Sequence, residues 1–386
     1  MGWGQVGMLG ASYMGARAFP IRPEKNLEDF FINQFGRRFY RLFFKEYTRK
    51  VWGVPCNQID SEWGVQRIKG LSLFKVLTHS LRDLMNLGHG ALRSQETSLI
   101  KQFLYPKYGP GQLWERVAKL IVDSGGLIFY RHRIVGLQAK EDRIVAVNVR
   151  DEQTGQTMEM EGDYFISSMP VSDLIESLAS QVPAEIQAIA RGLPYVDSII
   201  VGMLYRELLT KGENRQGSPT GLIPDNWIYI QDPKVRVSRV QIYNNWSPSM
   251  VADSGKVWLG VEFSCREGDK FWNDHDANIK KLAVEELNKL GIGGASDFLD
   301  GTVIRMRKTY PGYFASYNKF TQIRAYTDRF SNLFLIGRNG MHRYNNQDHS
   351  MMTAMVAVEN ILKGQRDKSN IWQVNTDVSY QEDKLF

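Results

Sequence analysis

The stretch NLFLIGRNGMHRYNNQDHSMMTAMVAVENIL, residues 332–362, combines three patterns that together decide the fold class. An apolar run of strand length enters a glycine turn at Gly337, a polar loop follows, and a helix begins near Asp348–Ser350. Backbone N–H groups at such a helix start bind anions and polar ligands. Asp348 is equally a candidate N-cap, and the Met/Ala/Val positions are equally a core face. The pattern alone leaves both interpretations open.

Both flanks of this stretch mix strand-like runs with amphipathic helices, which predicts an α/β protein. Residues 112–126 have helical apolar spacing and end in two glycines. From 195 onward, alternation of apolar and polar residues indicates a broad, largely antiparallel sheet. Residues 1–105 are predicted mainly as helices, one of them over about Leu71–Met85. Further strands are predicted in LIFY (127–130), RIVGLQ (133–138), RIVAVNV (143–149), TMEME (157–161) and DYFISSMP (163–170).

Composition excludes several classes of protein. A hydrophobic fraction of 43% and a charged fraction of 23% over 386 residues are those of a globular chain of about two domains. The two cysteines, Cys56 and Cys265, are too few and too far apart for a disulfide framework or a CxxC metal site, so no metal is expected. No apolar run approaches the roughly 20 residues of a membrane span, and the amino terminus lacks a secretory pattern. We therefore expect a cytoplasmic protein.

The net charge of +6 is uneven, because residues 1–110 hold 16 Lys and Arg against 8 Asp and Glu. Such an excess suits a small anionic substrate, and a solvated helical surface explains it equally well. Basic blocks interleaved with exposed aromatic residues are not evident, so no nucleic-acid partner is expected. The oligomeric state does not follow from the sequence.

The glycines Gly2, Gly4 and Gly7 match the spacing GxGxxG. A dinucleotide site needs a strand before these glycines and an acidic residue about 20 positions after the motif. Only Met1 precedes Gly2 in the sequence. The spacing is therefore interpreted as coincidental.

Four stretches resemble the flavoprotein group of UDP-galactopyranose mutases and of protoporphyrinogen-oxidase-like and amine-oxidase-like FAD enzymes. The fourth is similar to the carboxyl-terminal flavin contact of eukaryote-type mutases, including the string NQDHS. The resemblance covers nearly all of residues 20–365. The stretches are FGRRFYRLFFKEYTRKVWGVP (35–55), SEWGVQRIKG (61–70), WIYIQDPKVRVSRVQIYNNWSP (227–248) and GRNGMHRYNNQDHSM (337–351).

The resemblance implies a substrate site and a FAD site. Arg67 and Arg239 match the two arginines that hold the diphosphate of a nucleotide sugar, and a guanidinium fork suits phosphate oxygens. The substrate-binding residues expected on this basis are Arg67, Trp227, Arg239, Tyr310 and Tyr344. The FAD-binding residues expected are Ile134, Gly337, Arg338, Asn346, Gln347 and Ser350. No side chain is assigned as catalytic, because flavin N5 is the expected nucleophile of the group.

The resemblance also implies a fold: a Rossmann-like FAD/NAD(P)-binding domain interleaved with a mixed-sheet substrate domain and a helical cap. Members of the group begin with a strand, a GxGxxG turn and an acidic ribose ligand, whereas this sequence starts after that unit, so we expect an amino-terminally truncated version. The expected division is a helical substrate cap (1–105), a FAD-binding segment (106–170), a substrate domain (171–308), a second FAD-binding segment (309–365) and a polar tail (366–386).

The leading hypothesis is a flavoenzyme that interconverts the pyranose and furanose forms of a UDP-sugar through reduced flavin. The alternative enzyme is a FAD-dependent oxidoreductase of the amine oxidase or protoporphyrinogen oxidase type. A site for that chemistry needs an apolar pocket and no diphosphate clamp. A third hypothesis is an inactive fragment of either enzyme.

Overall fold

A computed structural model describes residues 3–67, 104–210 and 222–374. These residues form three separate sheets surrounded by helices, so the α/β class is confirmed. The helices are α1 Trp3–Ala18, α2 Leu27–Phe35, α3 Arg37–Phe39, α4 Lys45–Trp52, α5 Ser61–Arg67, α6 Pro110–Asp123, α7 Val171–Ser177, α8 Ala184–Arg191, α9 Tyr243–Trp246, α10 Asp276–Lys289, α11 Phe320–Asp328, α12 Gly337–Gly340, α13 Gln347–Leu362 and α14 Ser369–Gln373. The strands are β1 His132–Lys140, β2 Arg143–Asp151, β3 Thr157–Glu161, β4 Phe165–Ser167, β5 Tyr195–Tyr205, β6 Trp227–Tyr229, β7 Arg239–Ile242, β8 Val257–Cys265, β9 Phe298–Pro311 and β10 Leu333–Leu335.

The largest sheet has five strands in the order β6-β7-β8-β5-β9, and every neighbouring pair is antiparallel. Because strand side chains alternate, one face is almost wholly aliphatic and packs against α10 to form the sheet core. Ile199, Val201, Val240 and Leu259 on that face are fully buried. The opposite face carries the polar and aromatic residues of the candidate site.

The second sheet is an antiparallel meander, β1-β2-β3, and the third is a parallel pair, β4 and β10. Buried Asn332 ties the two together. Its Nδ2 donates to the carbonyl oxygens of Ile144 (2.8 Å) and Asp163 (2.9 Å), and its Oδ1 accepts from the N–H of Ile144 (2.9 Å). The meander, the parallel pair and helices α7, α8, α11, α13 and α14 share one core.

The first helices form an amino-terminal aromatic core around Phe31, Phe35 and Tyr40. Asn26 begins α2 by accepting the N–H of Asp29 (3.0 Å), and Gly36 ends it with φ +83°. A Cβ at Gly36 would lie 2.8 Å from backbone atoms of α1, so only glycine fits this crossing. The core also contains Val196 of β5 and Tyr313, which follows β9.

Most predicted elements are confirmed, including the hairpin between β2 and β3, the antiparallel sheet and the helix in 112–126. The strand predicted at residues 127–130 is wrong. No described residue pairs with this segment, and its side chains face solvent, with Leu127 79% and Tyr130 72% exposed. A β-forming composition without a partner strand does not produce a strand. The helix predicted over Leu71–Met85 lies outside the described residues.

The structure also tests the sequence interpretations of the first glycines, of the start of α13 and of the polar tail. Gly4 and Gly7 lie inside α1, so this glycine spacing forms no phosphate-binding turn. Helix α13 begins at Gln347, one residue before the predicted range, and its N-cap is Asn346 rather than the candidate Asp348. Within the predicted polar tail, α14 buries Ile371 and Trp372.

The division into domains stays a prediction. Among the described residues, no helix is both long enough and apolar enough to cross a bilayer.

Candidate functional site

The site face of the five-stranded sheet has room for large rings because its central positions are glycines. Gly202 on β5 and Gly260 on β8 are register partners. A Cβ at Gly260 would lie 2.5 Å from the hydroxyl of Tyr243, and one at Gly202 would lie 2.9 Å from the ring of Trp258. The two aromatic rings therefore lie directly on the backbone and form the floor of the site.

Arg239 and Glu262 form a buried ion pair at the centre of this face. They are direct cross-strand partners on β7 and β8. Nε of Arg239 donates to Oε2 of Glu262 at 3.0 Å, and Nη2 donates to the same oxygen. The side chains are only 18% and 7% exposed. Burial lowers the pKa of Arg239, but the Glu262 carboxylate outweighs burial and raises it, so the guanidinium stays charged.

Tyr310 on β9 completes this group. Its hydroxyl donates to Oε1 of Glu262 at 3.3 Å and lies 3.4 Å from Nη2 of Arg239. Burial, followed by the charge of Glu262, raises the pKa of Tyr310, so the phenol remains protonated at neutral pH. We call Arg239, Glu262 and Tyr310 the charged triad.

Aromatic side chains surround the charged triad. The guanidinium carbon of Arg239 lies 5.3 Å from the ring centre of Trp227, a residue that is 43% exposed. Tyr47 of α4 meets Tyr229 of β6 edge to face at 5.5 Å. Burial raises the pKa of Tyr47, which adds another protonated hydroxyl beside the triad. The predicted substrate residues Trp227, Arg239 and Tyr310 are thus brought together.

Tyr344 and Arg338 extend the cluster towards the loop after β10. The rings of Tyr310 and Tyr344 stack 5.6 Å apart with an interplanar angle of 13°. The guanidinium carbon of Arg338 lies 5.2 Å from the first ring centre and 4.8 Å from the second. Arg338 also donates to the carbonyl oxygens of Asn345 (2.9 and 2.6 Å) and Thr309 (3.2 Å). Arg338 therefore joins the expected substrate residues to the expected FAD residues.

Gly337 and Ser350 lie together behind this junction. Gly337 has φ +70°, and its N–H donates to Oγ1 of Thr353 at 3.0 Å. A Cβ at Gly337 would point at Oγ of Ser350, 3.7 Å away. Ser350 donates to Oδ1 of Asn345 at 3.0 Å. The glycine turn and the first turn of α13 are therefore packed against each other.

Asn346 and Gln347 mark the start of α13 and have different surroundings. The N–H of Asn346 donates to Nδ1 of His349 at 3.5 Å in a capping box. The side-chain oxygen of Gln347 accepts from Nε1 of Trp114, on α6, at 3.3 Å. Gln347 thus connects α13 with α6.

Asp348 lies in the first turn of α13. Both carboxylate oxygens are shielded from solvent, and Oδ1 lies 3.1 Å from Nδ1 of His349. Burial raises the pKa of Asp348, but His349 and the N–H groups of the first helical turn outweigh it, so the pKa lies below its ordinary range. A buried, ionised carboxylate with unused acceptor capacity matches a hydroxyl-bearing ligand.

The structure separates one predicted site residue from this cluster and does not describe the side chain of another. Ile134 is half-buried on β1 and packs against the core of the meander. Arg67 ends α5, and its side chain lies outside the described residues. For Arg67 the expectation stays a prediction.

The sequence analysis missed Glu262, Tyr47, Tyr229 and Asp348. One signal was available for Glu262, which is the only charged residue inside the apolar run VWLGVEFSC, residues 257–265. A charged residue in a buried strand needs a partner, and the cross-strand position of Arg239 provides it. Tyr47 could not be found from spacing, because it approaches the triad from a helix 180 or more positions earlier in the chain.

Comparisons with known proteins identify the fold. No protein-family model matches the sequence. A reduced UDP-galactopyranose mutase aligns over 96% of this chain and 74% of its own, with 19% identity and a TM-score of 0.72. A putative protoporphyrinogen oxidase from Exiguobacterium sp. 255-15 aligns over 93% and 73%, with 11% identity and a TM-score of 0.59. An oxidoreductase from Methanosarcina mazei aligns over 88% and 68%, with 13% identity and a TM-score of 0.52. The resemblance inferred from the sequence is confirmed at the level of the fold, which this chain shares with these enzymes.

Proposed function

We propose that this protein is a FAD-dependent enzyme that binds a UDP-sugar and interconverts its pyranose and furanose forms. The observation that carries the proposal is the single cluster formed by Trp227, Arg239, Tyr310 and Tyr344 on the open face of the five-stranded sheet. These are the described members of the substrate set expected from the sequence. Residues of the expected FAD set adjoin the same cluster through Arg338.

The chemistry of the cluster suits a nucleoside diphosphate. The exposed face of Trp227 offers a stacking surface for a base. The hydroxyl of Tyr310, kept protonated by burial, donates its one proton to Glu262, so it serves a phosphate oxygen by exchanging that partner. Arg239 uses Nε and Nη2 for Glu262, and among the described residues its Nη1 makes no hydrogen bond, so Nη1 is available to a ligand.

The residues around the start of α13 fit a flavin cofactor. Gly337, Arg338, Asn346, Gln347 and Ser350 would hold it, and Ile134 would contact its distal part. Asp348 adds a buried carboxylate that is able to accept from a ribityl hydroxyl. When bound and reduced, the flavin supplies the nucleophile for exchange between the sugar ring forms. The chain's own side chains orient the sugar and stabilise the leaving diphosphate.

The second candidate is a FAD-dependent oxidoreductase of the amine oxidase or protoporphyrinogen oxidase type. The ion pair Arg239–Glu262 favours it, because a neutralised arginine attracts a diphosphate less strongly than a free one. One of the matched structures is named a putative protoporphyrinogen oxidase, and another is named an oxidoreductase.

Calorimetric titration with UDP and with uridine separates the two candidates. We expect UDP to bind at least about tenfold more tightly than uridine, because the diphosphate gains charge-assisted hydrogen bonds of about 1.5–3 kcal/mol each. Arg239→Lys keeps the charge beside Glu262 but loses the guanidinium fork. It is therefore expected to lower the affinity for UDP by about tenfold and to leave the affinity for uridine unchanged. The control Arg307→Lys alters an arginine whose side chain is 60% exposed and paired with Glu267.

Equal affinities for UDP and uridine, unaffected by Arg239→Lys, would contradict the nucleotide-sugar proposal and favour the oxidoreductase. The cofactor is tested separately by recording visible spectra of the purified protein with and without added FAD. A protein that stays colourless at saturating FAD would contradict both flavoenzyme proposals.

A further inference from the structure

The turn between β6 and β7, residues 230–238, is held by a lysine from the amino-terminal helices. Nζ of Lys50, on α4, donates to the carbonyl oxygens of Ile230 (2.9 Å), Asp232 (2.7 Å) and Val237 (3.1 Å). An ammonium has three N–H groups, so all of its donors are used on backbone atoms of this one turn. Burial lowers the pKa of Lys50, while Glu286 and Asp232 act against that shift.

A carboxylate holds the same turn from the other side. Glu286, on α10, accepts the N–H of Arg236 at Oε1 and the N–H of Val237 at Oε2, both at 2.7 Å. Lys50 thus satisfies carbonyl oxygens and Glu286 satisfies N–H groups, which fixes both sides of the same peptide segment. Among the described residues, the hydrogen bonds between this turn and the amino-terminal helices all come from Lys50.

Both arms of the hairpin carry candidate substrate residues. Trp227 lies on β6, and Arg239 begins β7 two residues after Val237. Tyr47, one helical turn before Lys50, meets Tyr229 of the same hairpin. Helix α4 therefore contacts the hairpin at its strand through Tyr47 and hydrogen-bonds its turn through Lys50.

We propose that Lys50 is a positioning residue, which places Arg239 and Trp227 for substrate by fixing the backbone of the β6–β7 turn. This role rests on the proposed function of the hairpin residues. Lys50 itself touches no substrate in this arrangement, since its three donors point at carbonyl oxygens. Its removal leaves those oxygens without a donor and releases the end of β7.

Two other lysines serve as matched controls. Lys45 lies on the same helix and is exposed, so Lys45→Met removes the same charge without touching the turn. Lys289 donates to a single carbonyl oxygen of the turn, that of Lys234, at 3.1 Å and at its exposed edge. Lys289→Met therefore removes one exposed hydrogen bond from the same turn.

Hydrogen–deuterium exchange of the protein without substrate tests the hold on the hairpin. Lys50→Met is expected to speed exchange across residues 228–240 by about tenfold or more, with β5 and β9 unchanged, because local opening costs less free energy than global unfolding. Lys45→Met and Lys289→Met are expected to change it less than about twofold. Lys50→Arg keeps several donors and is expected to restore most protection. Unchanged exchange in Lys50→Met would overturn the proposal.

Titration with UDP tests whether the hydrogen bonds of Lys50 affect ligand binding by Arg239. Lys50→Met is expected to lower the affinity for UDP by about tenfold. In the Arg239→Lys background the same substitution is expected to lower it by only about twofold, because the effects of residues that act through one another are not additive. Faster exchange with unchanged UDP affinity would overturn the positioning role. If the wild type binds no UDP, the proposed function fails, and the exchange result alone decides whether Lys50 holds the hairpin.

Discussion

Two neighbouring parts of the candidate site differ in how far their buried polar groups are hydrogen-bonded to other protein groups. In the charged triad, Arg239, Glu262 and Tyr310 satisfy one another. In the loop 337–350, Nδ1 of His342 is buried without a hydrogen bond to the described residues, and the buried Asp348 carboxylate is stabilised by its neighbour His349 and by N–H groups of its own helical turn. The triad is therefore complete without a ligand, whereas the loop retains acceptors that a ligand is able to use.

The contrast separates residues that shape the site from residues that gain most when something binds. A buried ion pair has already balanced its desolvation cost, so a ligand must compete with an existing partner. A buried acceptor whose hydrogen-bonding capacity is only partly used has lost its water without full replacement, so a donor placed there is favourable. Three predictions probe this difference.

The largest effect is expected for Glu262→Ala, which leaves the buried Arg239 guanidinium without its carboxylate. Removing one partner of such a pair costs about 3–5 kcal/mol in free energy of unfolding. Urea denaturation measures this. Glu267→Ala breaks an ion pair whose side chains are 44% and 60% exposed, and is expected to cost less than about 1 kcal/mol. Similar losses in the two variants would mean that the buried ion pair contributes no more to the free energy of unfolding than an exposed pair.

A smaller effect is expected from the pH dependence caused by His342. This residue is fully buried, and its Nε2 lies 3.0 Å from the carbonyl oxygen of Gly312, so Nε2 carries the proton and Nδ1 faces no donor. Burial lowers the pKa of His342 from 6.5 to about 4. Between pH 6.5 and 4, this histidine is protonated in the unfolded chain but neutral in the folded chain. The free energy of unfolding therefore falls as the pH falls towards 4.

The expected loss is about 1.4 kcal/mol per pH unit within that window. Urea denaturation of the wild type and of His342→Asn at pH 7, 6, 5 and 4 measures it. Asparagine tolerates the positive φ of 46° at this position but does not titrate. Parallel stability profiles of the two proteins between pH 7 and 4 would show that His342 is not held neutral by burial.

The smallest effect is expected for Asp348→Asn. The lowered pKa means that the carboxylate form stabilises the fold above its ordinary pKa of 3.8, and that this contribution is lost as the pH falls below that value. A charge in the first turn of a helix contributes about 0.3–1 kcal/mol, so the variant should be less stable by that amount at pH 7 and equal to the wild type at pH 3. A loss as large as that of Glu262→Ala would remove the contrast between the two parts.

The sequence predicted this fold where the pattern is local. The apolar alternation of 198–205 and the turn signals at 152–155 specify strands and a hairpin without distant information. The start of α13 was predicted to within one residue. Its N-cap is Asn346 and not the candidate Asp348, because both residue types are good N-caps and the capping partner is His349 rather than the usual Glu or Gln. The segment 127–130 failed as a strand because strand formation depends on a partner that its own residues do not encode.

The site was predictable only in part, for the same reason. Arg239, Tyr310 and Tyr344 were found by resemblance, and the geometry groups them. Glu262 was missed because only the β7–β8 register places it opposite Arg239. The three carbonyl oxygens that Lys50 contacts belong to a turn about 180 residues away, and backbone acceptors have no signature in a sequence.

The composition of the amino-terminal aromatic core has a consequence for biosynthesis. Phe31, Phe35 and their neighbours are made well before Val196 and Tyr313, which complete the core. Asp60 donates its N–H to the carbonyl oxygen of Tyr313 at 2.7 Å. At about 5–20 residues per second, a ribosome needs tens of seconds to reach that part of the chain. Throughout that interval the phenylalanine-rich helices lack their final cover. We therefore expect the nascent protein to depend on chaperones that bind exposed aromatic segments, and its yield to rise when translation is coupled to them.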